Sequence, residues 1–244
     1  MYFKQVIFNE KQMKQDKVLI IAEAGVNHNG QIERAFQLVD AAVDCGADII
    51  KFQTFKANSL ILKNTKKTIY QIENTQTNIS QYEMLKSLEI NDLMHKKIFS
   101  YCFEKNIEFL SSGFTVDDLD YLVKLGVQRI KIPSGEITNL PYLEKAATFG
   151  LPIIVSTGMS NISEVKKAFE ILKLAGARKD MLTFLHCTSN YPAKLNTINL
   201  KAMNLIAEQL EVAIGYSDHS LKNETSIVYG LDADLIMLSM IRKH

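Results

Sequence analysis

Eight times this chain runs through a short stretch rich in Ile, Val, Leu and Phe whose last residues turn polar. Most of these runs are followed by a segment of helical length with apolar residues three and four apart. Strands that alternate with helices must lie parallel, because each strand needs a crossover before the next can pair in the same direction. Eight such units predict a (β/α)8 TIM barrel, which gathers its chemistry at the carboxyl ends of the strands. The first run shows the plan. Val18-Leu-Ile-Ile-Ala-Glu-Ala-Gly-Val-Asn-His-Asn-Gly30 passes from buried-strand composition to Glu23 and a polar turn at Asn27, His28 and Asn29.

A chain of 244 residues with 47% hydrophobic side chains suits one barrel domain over 1–244 better than two small domains. Its 28 basic and 27 acidic residues leave a net charge of +1, so no global field argues for nucleic acid or a membrane surface, and small molecules are the expected partners. Met1 to Lys17 lacks the continuous apolar core of a signal peptide, and no apolar run is long enough to span a membrane. The expectation is a cytoplasmic protein. Cys45, Cys102 and Cys187 lack metal-type spacing and are expected to be buried free thiols in a reducing compartment.

Along the chain, Tyr2 to Phe8 with Asn9-Glu-Lys11 predicts a β-hairpin over the amino-terminal end of the barrel. Apolar residues from Ile32 to Val43 predict a helix that stops at Gly46. In strand two, Asp48 to Phe55, Lys51 and Gln53 share one face; Lys51 either meets an anion inside the barrel, snorkels outward, or pairs with a structural carboxylate. Lys56 to Ser80 is polar, either a lid over substrate or a solvated loop. A helix over Asn91–Lys105 and a strand over Glu108–Phe114 follow, with Thr115 as the cap of the next helix.

Strand four, Arg129 to Glu136, carries Lys131 beside Ser134-Gly-Glu136, a hydroxyl, close backbone N–H groups and a charge that suit phosphate or carboxylate. Strand five, Pro152–Gly158, ends in Ser156-Thr-Gly158. Strand six, Met181–Ser189, contains His186, expected to be a hydrogen-bonded core histidine. Strand seven, Val212–Tyr216, releases Ser217-Asp-His219, where the aspartate either orients the imidazole or is a turn residue beside a surface histidine. Asp234 to Ile241 forms strand eight and runs into Arg242-Lys-His244 with no eighth helix after it.

Six of these segments together, Ala22 to Gly30, Lys51 to Lys56, Lys131 to Glu136, Val155 to Met159, His186 to Ser189 and Gly215 to His219, resemble the sialic acid synthase family in order and spacing over residues 18 to 220. The resemblance implies condensation of phosphoenolpyruvate with an N-acyl mannosamine-type sugar, giving a nine-carbon 2-keto acid and phosphate, with a divalent metal, Mn2+ or Mg2+. It implies that Lys51, Lys131, Ser134, Ser156, Ser189 and Ser217 bind phosphoenolpyruvate, and that Gln53, Glu136 and Tyr191 face the sugar. Glu23 matches the carboxylate that positions or deprotonates water, and His219 and His244 match the metal ligands.

Three departures from the family pattern stand out. Some members carry Asn where Ser189 stands, so Asn190 is an alternative there. Strand eight is about one turn longer than the pattern ending in the second histidine, and counting from His219 puts Met240 at that place. The family's eighth helix and antifreeze-like domain, which completes the partner subunit's site in a homodimer, are absent, so a truncated barrel with uncovered apolar surface is expected. Two other readings remain open: a Schiff-base aldolase with Lys131 as nucleophile, and a non-catalytic barrel that binds ligand or partner subunits.

Overall fold

In the computed structural model, residues 18–62, 80–220 and 235–239 are described. Eight parallel strands close into a barrel in chain order, β1 Leu19–Gly25, β2 Ile49–Thr54, β3 Glu108–Gly113, β4 Ile130–Ile132, β5 Ile153–Ser156, β6 Leu182–Cys187, β7 Ala213–Asp218 and β8 Leu235–Ser239. The helices between them are α1 Ile32–Asp44, α2 Ala57–Leu60, α3 Gln81–Ser87, α4 Asp92–Glu104, α5 Val116–Leu125, α6 Leu140–Thr148, α7 Ile162–Leu174 and α8 Lys201–Leu210. The barrel is thus the expected one. The N-terminal hairpin and the tail from Met240 to His244 lie outside the described residues. None of the described helices is long and apolar enough to cross a membrane.

Alternation along each strand sorts the side chains into two layers. Leu19, Ile21, Ile49, Leu110, Ile154, Leu185 and Met237 pack together inside the barrel. Residues one step out of phase, such as Ile50, Phe52 and Phe109 on one side and Ile132, Phe184 and Ile214 on the other, meet the helices. The interior is therefore filled by one apolar plug, and interior positions further along each strand are Lys51, Ser112, Lys131, Ser156 and Ser217. At the other end, Arg129 grips Glu108 through Nε and Nη2 at 2.6 and 2.9 Å, tying β4 to β3.

Local signals set the element ends. Thr115 caps α5 as expected, accepting from the Asp118 N–H while Asp118 accepts from Thr115, and Asn161 with Glu164 does the same for α7. Strand four is much shorter than its sequence run, because Pro133 has no N–H to pair and Ser134–Glu136 coils into a 3-10 turn. Strand seven is longer than expected and keeps pairing with β8 through Asp218. Cys45 is exposed, contrary to expectation, since it caps the end of α1 where the chain leaves the apolar face; Cys102 and Cys187 are buried. His186 also departs from expectation. It stacks on Tyr216 at 6.0 Å, and among the described residues its buried Nε2 has no hydrogen-bond partner, because its outward phase on β6 turns it toward the helix layer.

Two histidines hold the first three strands to their loops. His95 on α4 donates from Nδ1 to the Asn91 carbonyl at 3.2 Å and accepts at Nε2 from Thr54 Oγ1 at 2.9 Å, which itself lies 2.7 Å from Ser111 Oγ. His28, fully buried in the turn after β1, accepts from the Gly30 N–H at 3.0 Å through Nδ1. Burial lowers each to about 4. A histidine whose folded value lies below its unfolded one stabilises fully above pH 6.5 and loses that contribution as pH falls toward 4, here roughly 3 kcal/mol for each ring. The urea midpoint should therefore be level near pH 7 and fall between pH 6.5 and 4, with a shallower fall in His28→Gln; equal slopes for the two proteins would contradict this.

Candidate active site

The interior residues beyond the apolar plug open into a cavity of about 610 Å³ at the carboxyl end of the strands. Glu23, Lys51, Gln53, Lys131, Ser134, Ser156, Tyr191, Ser217 and His219 all line it. The chemistry begins with neighbours in register. Glu23 on β1 lies opposite Lys51 on β2, and Lys51 Nζ sits 2.5 Å from Glu23 Oε2 while donating to Ser112 Oγ at 3.2 Å. The structure thereby chooses among the three fates open to Lys51, turning it inward onto a carboxylate. A bulge between Glu23 and Gly25 makes the room: a Cβ at Gly25, where φ is +54°, would come 3.1 Å from Glu23 Oε1.

Lys131 is buried deeper. Its Nζ donates to Ser156 Oγ at 2.6 Å and to the Ile132 carbonyl at 2.8 Å. Among the described residues no carboxylate lies within ion-pairing distance of it. Burial, with the like charge of Lys51 second, lowers its pKa to about 7. An anion entering this mouth would find one lysine already paired and one with neutral partners alone.

Beyond Lys131, three strand ends crowd together. Ser134 Oγ accepts from the Gly158 N–H at 2.9 Å and touches Cys187 Sγ at 3.4 Å. A Cβ on Gly158 would meet Ser189 Oγ at 2.5 Å and both Cys187 Sγ and Ser134 Oγ at 2.9 Å, so only glycine lets these groups converge. Ser189 itself is exposed and lines a second cavity of about 480 Å³ beside Asn190 and His186. Glu136 does not line the mouth; its Oε2 accepts from Asn139 Nδ2 at 2.6 Å on the 3-10 turn. His244 lies outside the described residues.

His219 has a defined tautomer. A carbonyl can only accept, so the 2.7 Å contact from Nδ1 to the Thr188 carbonyl places the proton on Nδ1 and leaves a lone pair on Nε2, 3.3 Å from Ser217 Oγ. Burial is the main reason its pKa is lowered. Asp218 faces away from the mouth, since strand phase turns it outward, and it accepts from the Ser220 N–H. The backbone of Thr188, rather than the adjacent aspartate, orients the imidazole. Tyr191 lies edge-on to that ring at 5.2 Å.

Other lining residues carry weaker signals in the sequence. Ser112 shares the phase of Leu110, which marks it as interior, and Cys187 shares that of Leu185. Met84, Leu85 and Leu88 reach the cavity from α3 and the residue capping it, a segment with no strand-end signature.

The mouth thus brings two lysines, several hydroxyls, a carboxylate and an imidazole together at the carboxyl end of the strands. The NeuB family model matches residues 38–236, and the chain belongs to the NeuB family. It is 49% identical over 204 residues to the N,N'-diacetyllegionaminic acid synthase of Legionella pneumophila, covering 83% of this chain and 57% of that protein. It is 44% identical to the synthase of the same name from Campylobacter jejuni, covering 93% and 67%. The chain thus spans between half and about two thirds of these relatives' length. The crystal structure of N-acetylneuraminic acid synthetase from Leptospira borgpetersenii in complex with citrate superimposes with a TM-score of 0.79 at 32% identity, covering 92% of this chain and 73% of that one.

If the mouth is an anion site, Lys51→Met and Lys131→Met should each weaken phosphoenolpyruvate binding by about 1.5 to 3 kcal/mol, the range for hydrogen bonds to charged groups. Calorimetry on folded variants checks this, and wild-type affinity in both would remove the lysines from the site.

Proposed function

We propose that the chain condenses phosphoenolpyruvate with an N-acyl mannosamine-type sugar, adding water and releasing phosphate to give a sialic-acid-type 2-keto acid. The observation that carries the reading is the convergence of Lys51 and Lys131 with Ser112, Ser156 and Ser217 in one buried mouth beside Glu23 and His219. Membership of the NeuB family and the names of the relatives support it, and the two diacetyllegionaminic acid synthases favour a sugar with two acetamido groups.

In this reaction the lysines and strand-end hydroxyls hold the phosphate and carboxylate of phosphoenolpyruvate, sharing its charge among several donors. Its C3 attacks the aldehyde carbon of the open-chain sugar, forming the new C–C bond. The aldehyde oxygen takes up a proton to become a hydroxyl. The cation left at C2 is captured by water, which loses a proton to Glu23, and the C2 hydroxyl gives up its proton as the tetrahedral carbon expels phosphate and becomes the keto carbon. Gln53 and Tyr191, which also line the cavity, are the proposed contacts to the sugar. The Nε2 lone pair of His219 would serve as one ligand to Mn2+ or Mg2+, with His244 the proposed second. Such an ion, when bound, would supply Lewis-acid polarisation of the aldehyde.

The lowered pKa of Lys131 favours a second reading, a Schiff-base aldolase, since a neutral amine is the nucleophile such enzymes use. Phosphate release with phosphoenolpyruvate, Mn2+ and a panel of N-acyl amino sugars tests the first reading, with release dependent on both sugar and metal. Borohydride with pyruvate should leave the protein unmodified; a covalent adduct at Lys131 without phosphate release would select the aldolase.

Glu23→Gln should retain phosphoenolpyruvate binding and lose turnover by at least about a hundredfold, because an amide hydrogen-bonds but takes no proton. Turnover within a few fold of wild type would remove Glu23 from the chemistry.

A further inference from the structure

The second cavity, of about 480 Å³, shares Cys187 with the mouth but is walled by α7 and α8 on the outward side of β6. Its helix walls are apolar. Ile162 and Val165 come from α7, three residues apart, and Ala202, Leu205 and Ile206 from one face of α8. Its loop walls are polar, with Ser160 after β5, Thr188 and Asn190 after β6, and Asn199 before α8. Among the described residues that line it there is no lysine, arginine, aspartate or glutamate. The helix starts beside it offer an anion little. Asn161 accepts from the Ser163 and Glu164 N–H groups of α7, and the Asn199 and Leu200 carbonyls accept from Ala202 and Met203 of α8. His186 adds an imidazole whose buried Nε2 has no hydrogen-bond partner among the described residues, and whose pKa burial lowers.

The rim of this cavity holds a strained residue. The Thr157 carbonyl accepts from the Ser160 N–H at 3.2 Å, closing a turn whose third residue, Met159, has φ of +63°. Glycine is the usual occupant of such a position, and a methionine there carries strain. Its side chain is 83% exposed, so burial within the fold does not offset that strain.

We propose that this cavity is a binding site of its own, for a small uncharged molecule that pairs an apolar face with hydroxyl or amide groups, and that Met159 closes over it. The inference stands apart from the condensation, since none of the residues it uses has a part in that reaction. The volume is that of a small-molecule site. An apolar face would leave water for Ile162, Val165 and Leu205, while hydroxyls or amides would meet Ser160, Thr188 and the side chains of Asn190 and Asn199. A charged molecule would give up its hydration with no opposite charge to meet it. A purely apolar one would strip water from these polar groups and leave them unpaired.

The test is methyl NMR on the full chain with three uncharged fragments, N-acetylleucinamide, methyl N-acetylglucosaminide and nicotinamide. Each is set against a carboxylate counterpart, N-acetylleucine, methyl glucuronide and nicotinate. At least one uncharged fragment should bind with a Kd of about 10 mM or tighter. It should shift the methyls of Met159, Ile162, Leu205 and Ile206 and leave those of Met84 and Met237, in the mouth, unmoved. Its carboxylate should bind there at least about tenfold more weakly. Met159→Gly should keep the thermal midpoint, because glycine adopts a positive φ without strain, yet weaken the fragment about fivefold or more. Asn199→Asp, at an exposed position, should weaken it to a similar degree. No shift of the cavity methyls by any uncharged fragment, a carboxylate that binds equally well, or wild-type affinity in both variants would overturn the site.

Discussion

Two ammonium groups buried in one barrel mouth, with a single carboxylate paired to one of them, are the constraint on which the rest of this site turns. Burying an ammonium is costly unless it is paired and fully hydrogen-bonded. Lys51 is paired with Glu23 and donates to Ser112. Among the described residues Lys131 has a hydroxyl and a carbonyl as partners, and burial, with the like charge of Lys51 second, lowers its pKa. A bound anion would reverse that shift, because its charge favours the protonated amine. On the proposed reaction, phosphoenolpyruvate would also compete with Glu23 for Lys51, leaving the carboxylate to act on water.

The barrel sustains this arrangement by dividing its interior. Ile21, Ile49, Leu110, Ile154, Leu185 and Met237 close the middle with an apolar plug, and strand phase places the lysines and serines immediately beyond it. Neighbouring strands then supply the partners, Glu23 from β1 and Ser112 from β3 for Lys51, and Ser156 from β5 for Lys131. Glycines at 25 and 158 let side chains approach the backbone where any Cβ would crowd them. Orientation of His219 comes from the Thr188 carbonyl, a group that residue identity does not reveal.

What is legible in the sequence follows from this physics. Period-two alternation is a local property, so Lys51 and Gln53 fall on one face by their spacing alone. Strand ends are legible for the same reason, which is why Lys131, Ser134, Ser156, Ser217 and His219 stand out in the sequence and do line one mouth. Pairing between strands is not local: that Lys51 meets Glu23 and Ser112 depends on barrel register. The part of α3 in the mouth is hidden because its residues look like any amphipathic helix, and only tertiary packing turns that face toward the mouth. Glu136, close in sequence to lining residues, is carried away by a 3-10 turn, whereas Ser189 keeps its hydroxyl at Gly158 beside Ser134 and Cys187 while lining the second cavity. The exposed Cys45 shows the same limit, since a helix end leaves the apolar face without any change of composition.

If Lys131 awaits an anion, proton uptake on binding is the most direct sign of it. Near pH 7.5, above its lowered pKa, free Lys131 is largely neutral, and a bound anion should restore its proton. Calorimetric titration of phosphoenolpyruvate at that pH, in buffers of different ionisation enthalpy, should show net proton uptake that disappears in Lys131→Met. Identical proton exchange in the wild type and Lys131→Met, with tight binding in both, would contradict the claim that this lysine is the anion's buried partner.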